Sequence, residues 1–231
     1  MFAIMGEIIL WVVVVISFIL AVLVFINGGL SRRSISYALL MLAGCIWAIF
    51  NLLAIWFNDV MPDYKFQFDV GVIAITALLC FSTFMLALSF IRLSKKQFAL
   101  ISIASLIPAL ILQLFMIDPL FIYTGYIFDD DNMLRLTFNP FGMAVQIIFV
   151  LVYAALTVWL YIIALKQART SIGKQLIRIT MIGFIIGYSF GLIFNVALAE
   201  VHDFHWVAPA CILILAITSY KAVIKHGEDE L

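Results

Sequence analysis

The chain has 231 residues, of which 66% are hydrophobic and 11% are charged, and its mean hydropathy is +1.22. A water-soluble domain cannot enclose this much apolar surface, so the composition excludes a soluble globular protein. It predicts an integral membrane protein whose main partner is the lipid bilayer. The formal net charge is zero, and no nucleic-acid partner is predicted.

Seven charge-poor segments are long enough to cross a bilayer as helices. A hydrocarbon layer about 30 Å thick requires roughly 20 apolar residues per helix, and backbone groups in lipid must be hydrogen-bonded within the helix. We therefore predict an all-α membrane protein, a single seven-transmembrane helix bundle over residues 1–231. The predicted helices lie at about 8–26, 37–57, 70–91, 98–117, 141–165, 179–199 and 206–224.

Basic residues predict which helix ends face the cytoplasm, because Lys and Arg resist translocation. Eleven of the thirteen lie in alternate connections or at the end of the seventh helix, whereas Lys65 and Arg135 lie on the opposite side. This sorting predicts a multi-pass protein of the cell membrane with its N-terminus outside and its C-terminus in the cytoplasm. The residues on the predicted cytoplasmic side are Arg32, Arg33, Arg92, Lys95, Lys96, Lys166, Arg169, Lys174, Arg178, Lys221 and Lys225.

The longest connection, residues 118–140, joins the fourth and fifth predicted helices. Its segments 121–128 and 133–138 are rich in Phe, Tyr, Ile, Leu and Thr, and Asp-Asp-Asp-Asn occupies 129–132. Two such segments separated by turn-forming residues are typical of a β-hairpin. We predict a short extracellular β-hairpin over the outer mouth of the bundle, and an acidic loop without regular structure is the alternative.

The sixth predicted helix carries Gly183, Gly187 and Gly191 at four-residue spacing. One helix face therefore lacks side chains, which lets another backbone approach closely. The neighbour is either a helix of the same bundle or a second copy of the chain, so a homodimer stays open. Pro108 and Pro209 are expected to kink the fourth and seventh helices, because each removes a backbone donor.

The sequence predicts no catalytic residues, no metal site and no cofactor. His202 and His205 lie near Glu200 and Asp203 in one short connection. They lack the four-residue helical spacing of a zinc-binding histidine pair, so an intramembrane metal-dependent hydrolase is a weak alternative. The chain also lacks the Gly-Xaa-Ser-Xaa-Gly motif of a nucleophilic serine and the glycine-rich loop that binds phosphate.

A retinal protein is a second weak alternative. It would need a lysine near the middle of the seventh helix and a carboxylate facing it, whereas Lys221 lies near the cytoplasmic end and Asp69 lies at the outer edge of the third helix. The cysteines have no metal-ligand spacing and are predicted to be small buried residues of the spans. They are Cys45, Cys80 and Cys211.

Polar and aromatic residues gather in the outer halves of the predicted helices. Asn and Gln in a bilayer usually hydrogen-bond across helices, and Trp commonly marks the membrane interface, so packing explains the set as well as ligand binding does. Gaps between the helices of a bundle are nevertheless usual sites for small ligands. The ligand-binding hypothesis assigns Trp47, Asn51, Trp56, Asp69, Gln113, Gln146, Tyr188, Asn195 and Trp206.

Short segments in a fixed order carry a family resemblance that spans nearly the whole chain. They are residues 38–47 followed by Ala-Ile-Phe-Asn, residues 66–72, the Leu-Ala-Leu-Ser-Phe of 86–90, the Asp-Pro-Leu of 118–120, the Gly-Lys-Gln of 173–175, and the Ser-Tyr-Lys-Ala-Val-Ile-Lys of 219–225. In this order they resemble the N-terminal seven-transmembrane sensor region of bacterial histidine kinases and related signalling proteins.

The resemblance implies an input module whose attached domain, such as a kinase or cyclase, produces the output. An extracellular or membrane-borne ligand would bias helix positions, and the seventh helix would pass the shift to the cytoplasm. An effector domain would begin close to residue 231. We therefore expect a separate histidine kinase or other cytoplasmic effector, or a chain excised from a longer protein.

The main alternative function is a small-solute membrane transporter. The triplet Ile-Phe-Asn occurs at 49–51 and again at 193–195, each toward the outer end of a predicted helix. Such correspondence is consistent with an internal duplication, as some transporters have. A transporter predicts solute uptake by vesicles, whereas a sensor predicts a kinase or regulator that copurifies.

Overall fold

The computed structural model describes residues 2–57, 62–115, 123–128, 134–193 and 207–224. Within these ranges the chain forms seven α-helices and two short β-strands, which confirms the predicted seven-helix architecture. The helices are α1 (Phe2–Gly28), α2 (Arg32–Trp56), α3 (Pro62–Ser89), α4 (Lys95–Phe115), α5 (Pro140–Gln167), α6 (Ser171–Leu192) and α7 (Val207–Ile224). The strands are β1 (Tyr123–Phe128) and β2 (Leu134–Phe138).

Five helices are long and apolar enough to cross a membrane. A shorter apolar segment, Pro209–Ile224, makes up most of α7. The remaining helix, α6, begins with a more polar turn that includes Lys174 and also carries Arg178. These properties fit a multi-pass membrane protein. The five segments are Met5–Gly28, Arg32–Trp56, Gln67–Ser89, Lys95–Phe115 and Pro140–Gln167.

Most helices extend beyond the charge-free segments that predicted them, because side chains cap their first turns. The Thr170 hydroxyl accepts a hydrogen bond of 3.0 Å from the backbone N–H of Gly173, so α6 begins eight residues before the predicted 179. The Ser31 hydroxyl caps α2 in the same way by accepting from Ser34 N–H. A cap satisfies donors that the first turn leaves free, so a helix can continue past the hydrocarbon layer.

Helices α2 and α3 form the centre of the bundle. Helix α2 packs against α1, α3 and α7, while α3 packs against α2, α4 and α5, and α6 lies between α5 and α7. The largest fully buried side chains include Tyr37 of α2, Tyr161 of α5 and Phe184 of α6. Helix α4 lies at the periphery, where Leu100 and Leu114 are exposed and available to lipid.

The start of α2 and the ends of α3 and α5 meet at one end of the bundle, which we call the basic end. There Arg32 Nη1 donates to the Leu93 carbonyl at 2.9 Å, and the backbone N–H of Arg92 donates to Gln167 Oε1 at 2.8 Å. The two strands connect α4 to α5 and mark the opposite end, which we call the hairpin end. The bundle therefore has two chemically distinct ends.

Strands β1 and β2 pair antiparallel, with Tyr126 opposite Leu136 and Ile127 opposite Arg135. Both strands lie within the segments that were predicted to be β. The register is irregular between Tyr123 and Gly125. The predicted turn at 129–132 lies outside the described residues.

The glycine face of α6 packs against α7 of the same chain. A Cβ atom on Gly183 would overlap the Thr218 side chain, and one on Gly187 would lie 2.8 Å from the Cys211 carbonyl oxygen. A Cβ on Gly191 would meet no atom of the described residues within 4 Å. The neighbour that the spacing left undecided is therefore α7 for two of the three glycines.

The two expected proline kinks have different outcomes. Helix α4 runs without interruption through Pro108. Pro209 is the third residue of α7 and lies in its first turn, where its missing donor breaks no intrahelical hydrogen bond. The described helix begins only two residues before the proline, so the expected kink in the seventh helix stays a prediction.

A candidate ligand site in the bundle

Two side-chain amides converge on one turn of α3 from opposite neighbours. Gln146 of α5 donates from Nε2 to the Ile73 carbonyl at 3.4 Å, and Gln113 of α4 donates to the next carbonyl, that of Ala74. We call Gln113, Gln146 and residues 72–76 of α3 the amide layer. It ties three helices together at a single depth.

The α3 turn can accept these bonds because a carbonyl oxygen has two lone pairs, only one of which the helix uses. Thr76 of the same turn donates its hydroxyl to the Val72 carbonyl at 3.3 Å. Three successive carbonyls of α3 thus carry a second hydrogen bond. In lipid an unpaired amide or hydroxyl is costly, so such pairing holds α4 and α5 against α3.

Helix α2 approaches α3 just before this turn and carries a buried indole and a buried amide. The ring of Phe50 lies directly against Gly71, which sets α2 next to the start of the amide layer. Asn51 donates from Nδ2 to the Trp47 carbonyl at 2.8 Å, within its own helix. Both Asn51 and Trp47 are buried. Sequence reasoning predicted both residues, together with Gln113 and Gln146, as ligand-binding residues.

One donor and one acceptor among these residues have no hydrogen-bond partner in the described part of the chain. They are the indole N–H of Trp47 and the Oε1 atom of Gln146, whose side chains are 4% and 7% exposed. A small uncharged molecule with one acceptor and one donor has the chemistry to pair with them. The neutral amide and indole groups provide no charge that would favour an ionic ligand.

The other predicted residues lie elsewhere or outside the described residues. Trp56 is 47% exposed and packs against Trp11 of α1 with ring centroids 6.0 Å apart, as expected for a surface residue at the membrane interface. Asp69 is partly buried one turn before Ile73 on α3. Asn195 and Trp206 are not among the described residues.

Tyr188 links α6 to two helices beside the amide layer. Its hydroxyl donates to the Val150 carbonyl of α5 at 3.2 Å and lies 2.8 Å from the Cys80 sulfur of α3. Nearby, Tyr153 of α5 donates to the Ser105 carbonyl of α4. Sequence reasoning predicted Tyr188 but missed Cys80 and Tyr153, since a cysteine or tyrosine in an apolar run carries no pattern that separates core from site.

Sequence reasoning also missed a buried arginine at the basic end. Arg33 is 6% exposed, its Nε donates to the Ser89 carbonyl at 3.4 Å, and its guanidinium carbon lies 5.5 Å from the Phe90 ring centroid. Adjacent Arg32 lies over the Phe98 ring at 5.1 Å. The two arginines hold the α3–α4 connection by hydrogen bonds and cation–π contacts. In the sequence they read only as solvated charges.

The last turns of α7 are also held at this end. Tyr37 of α2 donates its hydroxyl to the Ala216 carbonyl at 3.0 Å, and its ring lies 6.1 Å from that of Tyr220. Asn27 of α1 donates to the Tyr220 hydroxyl at 3.4 Å. Helix α7 therefore cannot shift here without changing its contacts to α1 and α2.

No group of three His, Cys, Asp or Glu residues that could hold a metal ion occurs among the described ranges. His202 and His205, the candidates of the hydrolase alternative, lie outside those ranges. The three cysteines are buried and unpaired in disulfides, as expected for small core residues of the helices.

Comparison with known families identifies the class of this bundle. A family model described as the N-terminal 7TM region of histidine kinase matches residues 9–226. The chain belongs to this family. The match covers nearly all of the 231 residues and confirms the resemblance drawn from the sequence. No curated protein matches the chain. The N-terminal 7TM region of histidine kinase is a membrane sensor region.

Proposed function

We propose that the chain is the input module of a histidine-kinase-type signalling system, which detects an extracellular or membrane-borne ligand and shifts helix positions for a cytoplasmic effector. The observation that carries the proposal is the convergence of Gln113 and Gln146 on successive carbonyls of α3. Family membership supports the sensor class, and the amide layer is the place we assign to the ligand.

A ligand in the amide layer would act by pairing with two atoms that have no partner in the described part of the chain, and so by moving the side chains that carry them. Pairing with Gln146 Oε1 would draw that amide away from Ile73, and pairing with Trp47 Nε1 would pull on α2. A ligand shifts a conformational equilibrium only by its difference in affinity between two arrangements. Such a ligand would favour the arrangement in which it pairs with both Gln146 Oε1 and Trp47 Nε1.

The orientation belongs to the same proposal. Positive residues are retained on the cytoplasmic side of a membrane, so the basic end faces the cytoplasm and the hairpin end faces outside. This places the N-terminus outside, the C-terminus in the cytoplasm and the chain in the cell membrane. The described basic residues near this end are Arg32, Arg33, Arg92, Lys95, Lys96, Lys166, Arg169, Lys174, Arg178 and Lys221.

The output partner we propose is a histidine kinase or another cytoplasmic effector, either separate from the chain or attached to it. Helix α7 ends at Ile224 on the basic end, where Tyr37 and Asn27 hold it. A change in these contacts would reach the effector directly. The proposal assigns no catalysis to the chain itself.

The proposal is tested by the phosphorylation of the kinase that copurifies with the chain from native membranes. Gln146→Met and Gln113→Met each remove an amide while keeping a side chain of similar length. We expect either variant to change basal phosphorylation by about fivefold or more, because typical coupling free energies between two sites correspond to factors of about 5 to 150. The matched control is Gln67→Met, because Gln67 is an exposed residue of α3.

Two results would contradict this function. Unchanged phosphorylation in both amide variants, with normal membrane insertion, would remove the amide layer as the ligand site. Concentrative uptake of sugars or amino acids by proteoliposomes containing the chain alone, with no kinase copurifying, would favour the transporter alternative instead.

A further inference from the structure

Helix α5 carries three of the five buried side-chain polar atoms that have no hydrogen-bond partner in the described part of the chain. They are Gln146 Oε1, Thr157 Oγ1 and Tyr161 OH, which are spread along the helix from the amide layer toward the basic end. The other two, on Ser17 and Trp47, belong to different helices. The three atoms on α5 therefore suggest one shared cause, the position of that helix.

Tyr161 differs in this respect from three other buried or largely buried tyrosines. Tyr37, Tyr153 and Tyr188 each donate their hydroxyl to a backbone carbonyl of another helix. Tyr161 is fully buried between the rings of Phe90 and Phe184, each with its centroid 6.1 Å away, and makes no such bond within the described residues. An enclosed hydroxyl without a partner destabilises the arrangement that contains it.

Rotation of the side chain does not relieve this cost for Tyr161. A tyrosine hydroxyl lies too far from its own backbone to reach a carbonyl of the same helix, unlike a serine or threonine hydroxyl. Thr157 and Tyr161 are four residues apart and so share one face of α5. Both oxygen atoms are buried in the described structure. For Tyr161, relief requires a movement of α5 itself.

Both ends of α5 are connected to elements that such a movement would displace. Only Asn139 separates β2 from α5, and its side chain caps the helix by accepting from Phe141 N–H at 3.1 Å. At the other end Gln167 Oε1 accepts from the backbone N–H of Arg92, in the α3–α4 connection. A displacement of the hairpin is thus transmitted along α5 to the basic end.

The Tyr161 ring reaches the same connection by a second route. Phe90 contacts both the Tyr161 ring and the guanidinium of Arg33. Phe184 links Tyr161 to Tyr188, with ring centroids 4.9 Å apart between the latter two. A change in the position of Tyr161 therefore alters packing both beside the amide layer and at the start of α2.

We propose that α5 moves between two packing positions and couples the hairpin to the α3–α4 connection. In the second position the Thr157 and Tyr161 hydroxyls each have a hydrogen-bond partner. The described structure is the position in which these hydroxyls are unpaired. The inference adds a moving element to the proposed sensor, but it stands whether or not the amide layer binds a ligand.

The test uses fluorine NMR of the full chain in lipid nanodiscs, with 3-fluorotyrosine in place of tyrosine and each resonance assigned by a Tyr→Phe variant. We expect the Tyr161 and Tyr188 resonances to be split or broadened by exchange. In Tyr161→Phe the second position loses the hydrogen bond of the Tyr161 hydroxyl, which lowers the population of that position by about fivefold or more. The Tyr188 resonance is therefore expected to become single. Thr157→Val shifts the populations in the same direction.

Tyr64 provides the control, because it is an exposed residue that packs against Phe57, and its resonance is expected to stay single in every variant. A thermal-unfolding series adds a second measurement. Tyr161→Phe raises the Tm, since it removes only an unpaired hydroxyl, whereas Tyr153→Phe lowers it. The proposal is overturned by a sharp, single Tyr161 resonance without relaxation dispersion, or by a lower Tm in Tyr161→Phe.

Discussion

Polar side chains inside the bundle mostly bind backbone carbonyls of their own helix. Ser82 donates to the Leu78 carbonyl at 2.7 Å, and Thr180 donates to the Leu176 carbonyl at 3.0 Å. Each bond offsets the cost of placing a hydroxyl in an apolar region, with a net contribution of about 1 kcal/mol. These residues need no functional explanation. The few side chains that bond between helices, or have no partner among the described residues, are the informative ones.

The close approach of α6 and α7 predicts opposite effects for two glycines of the same stripe. Gly187→Ala forces a Cβ against the Cys211 carbonyl, which is backbone and cannot rotate away, so we expect a loss of about 1–3 kcal/mol in unfolding free energy. Gly191→Ala meets no atom of the described residues and is expected to be neutral or to stabilise by up to about 1 kcal/mol. Thermal unfolding in detergent measures both. Equal losses in the two variants would contradict the packing described.

Trp47 and Trp56 show how far helical geometry alone could predict the site. They are nine residues apart, which at 100° per residue places them about 180° apart around the helix axis. The sequence therefore already implied that only one could face the interior. It did not show which one, because α2 is apolar on most of its surface. The structure places Trp47 inside and Trp56 outside.

Helices were predictable as elements, but their neighbours were not. A run of apolar residues indicates a span wherever it occurs, so all seven helices followed from hydropathy and length. The amphipathic stripe that identifies the buried face of a soluble helix is weak here, because lipid and protein interior are both apolar. Hydropathy thus could not show that α2 and α3 occupy the centre, nor that Gln113 and Gln146 converge on the same turn of α3.

Arg33 of α2 holds the α3–α4 connection, so its replacement is expected to loosen that connection locally. Arg33→Ala deletes the hydrogen bond to Ser89 and the contact with Phe90. We expect amide hydrogen exchange over residues 89–94 to become about tenfold faster or more, since a charged hydrogen bond contributes about 1.5–3 kcal/mol. Lys96→Ala, a change at an exposed residue of the adjoining helix, should leave exchange there unaltered. Equal protection in both variants would show that Arg33 does not hold this connection.

The family assignment and the fold agree on a bundle of seven helices. The family match from 9 to 226 includes every helix, although α1 begins slightly before it. Family membership establishes the class of the chain. In the proposed function, the choice of ligand depends on the small set of interior polar groups, because lipid-facing residues such as Ile103 and Leu114 present only apolar surface.

The proposed orientation makes a direct prediction for tags on the two ends of the chain. A reporter that is active only outside the cytoplasm is expected to function at the N-terminus and to fail at the C-terminus, because seven crossings place the ends on opposite sides. A cytoplasmic reporter should give the reverse pattern. Protease accessibility of each tag in intact cells is the independent check. If both tags share a compartment, the seven-pass arrangement is wrong.

The peripheral position of α4 makes the bundle sensitive to the thickness of the surrounding bilayer. Helix α4 packs mainly along α3, and its 21 residues correspond to a length of about 30 Å. A thinner membrane tilts a helix to hide its apolar length, and the helix with the fewest protein neighbours tilts most easily. Tilting α4 would draw Gln113 away from the Ala74 carbonyl. Lipid chain length would then act on the same turn of α3 as a dissolved molecule.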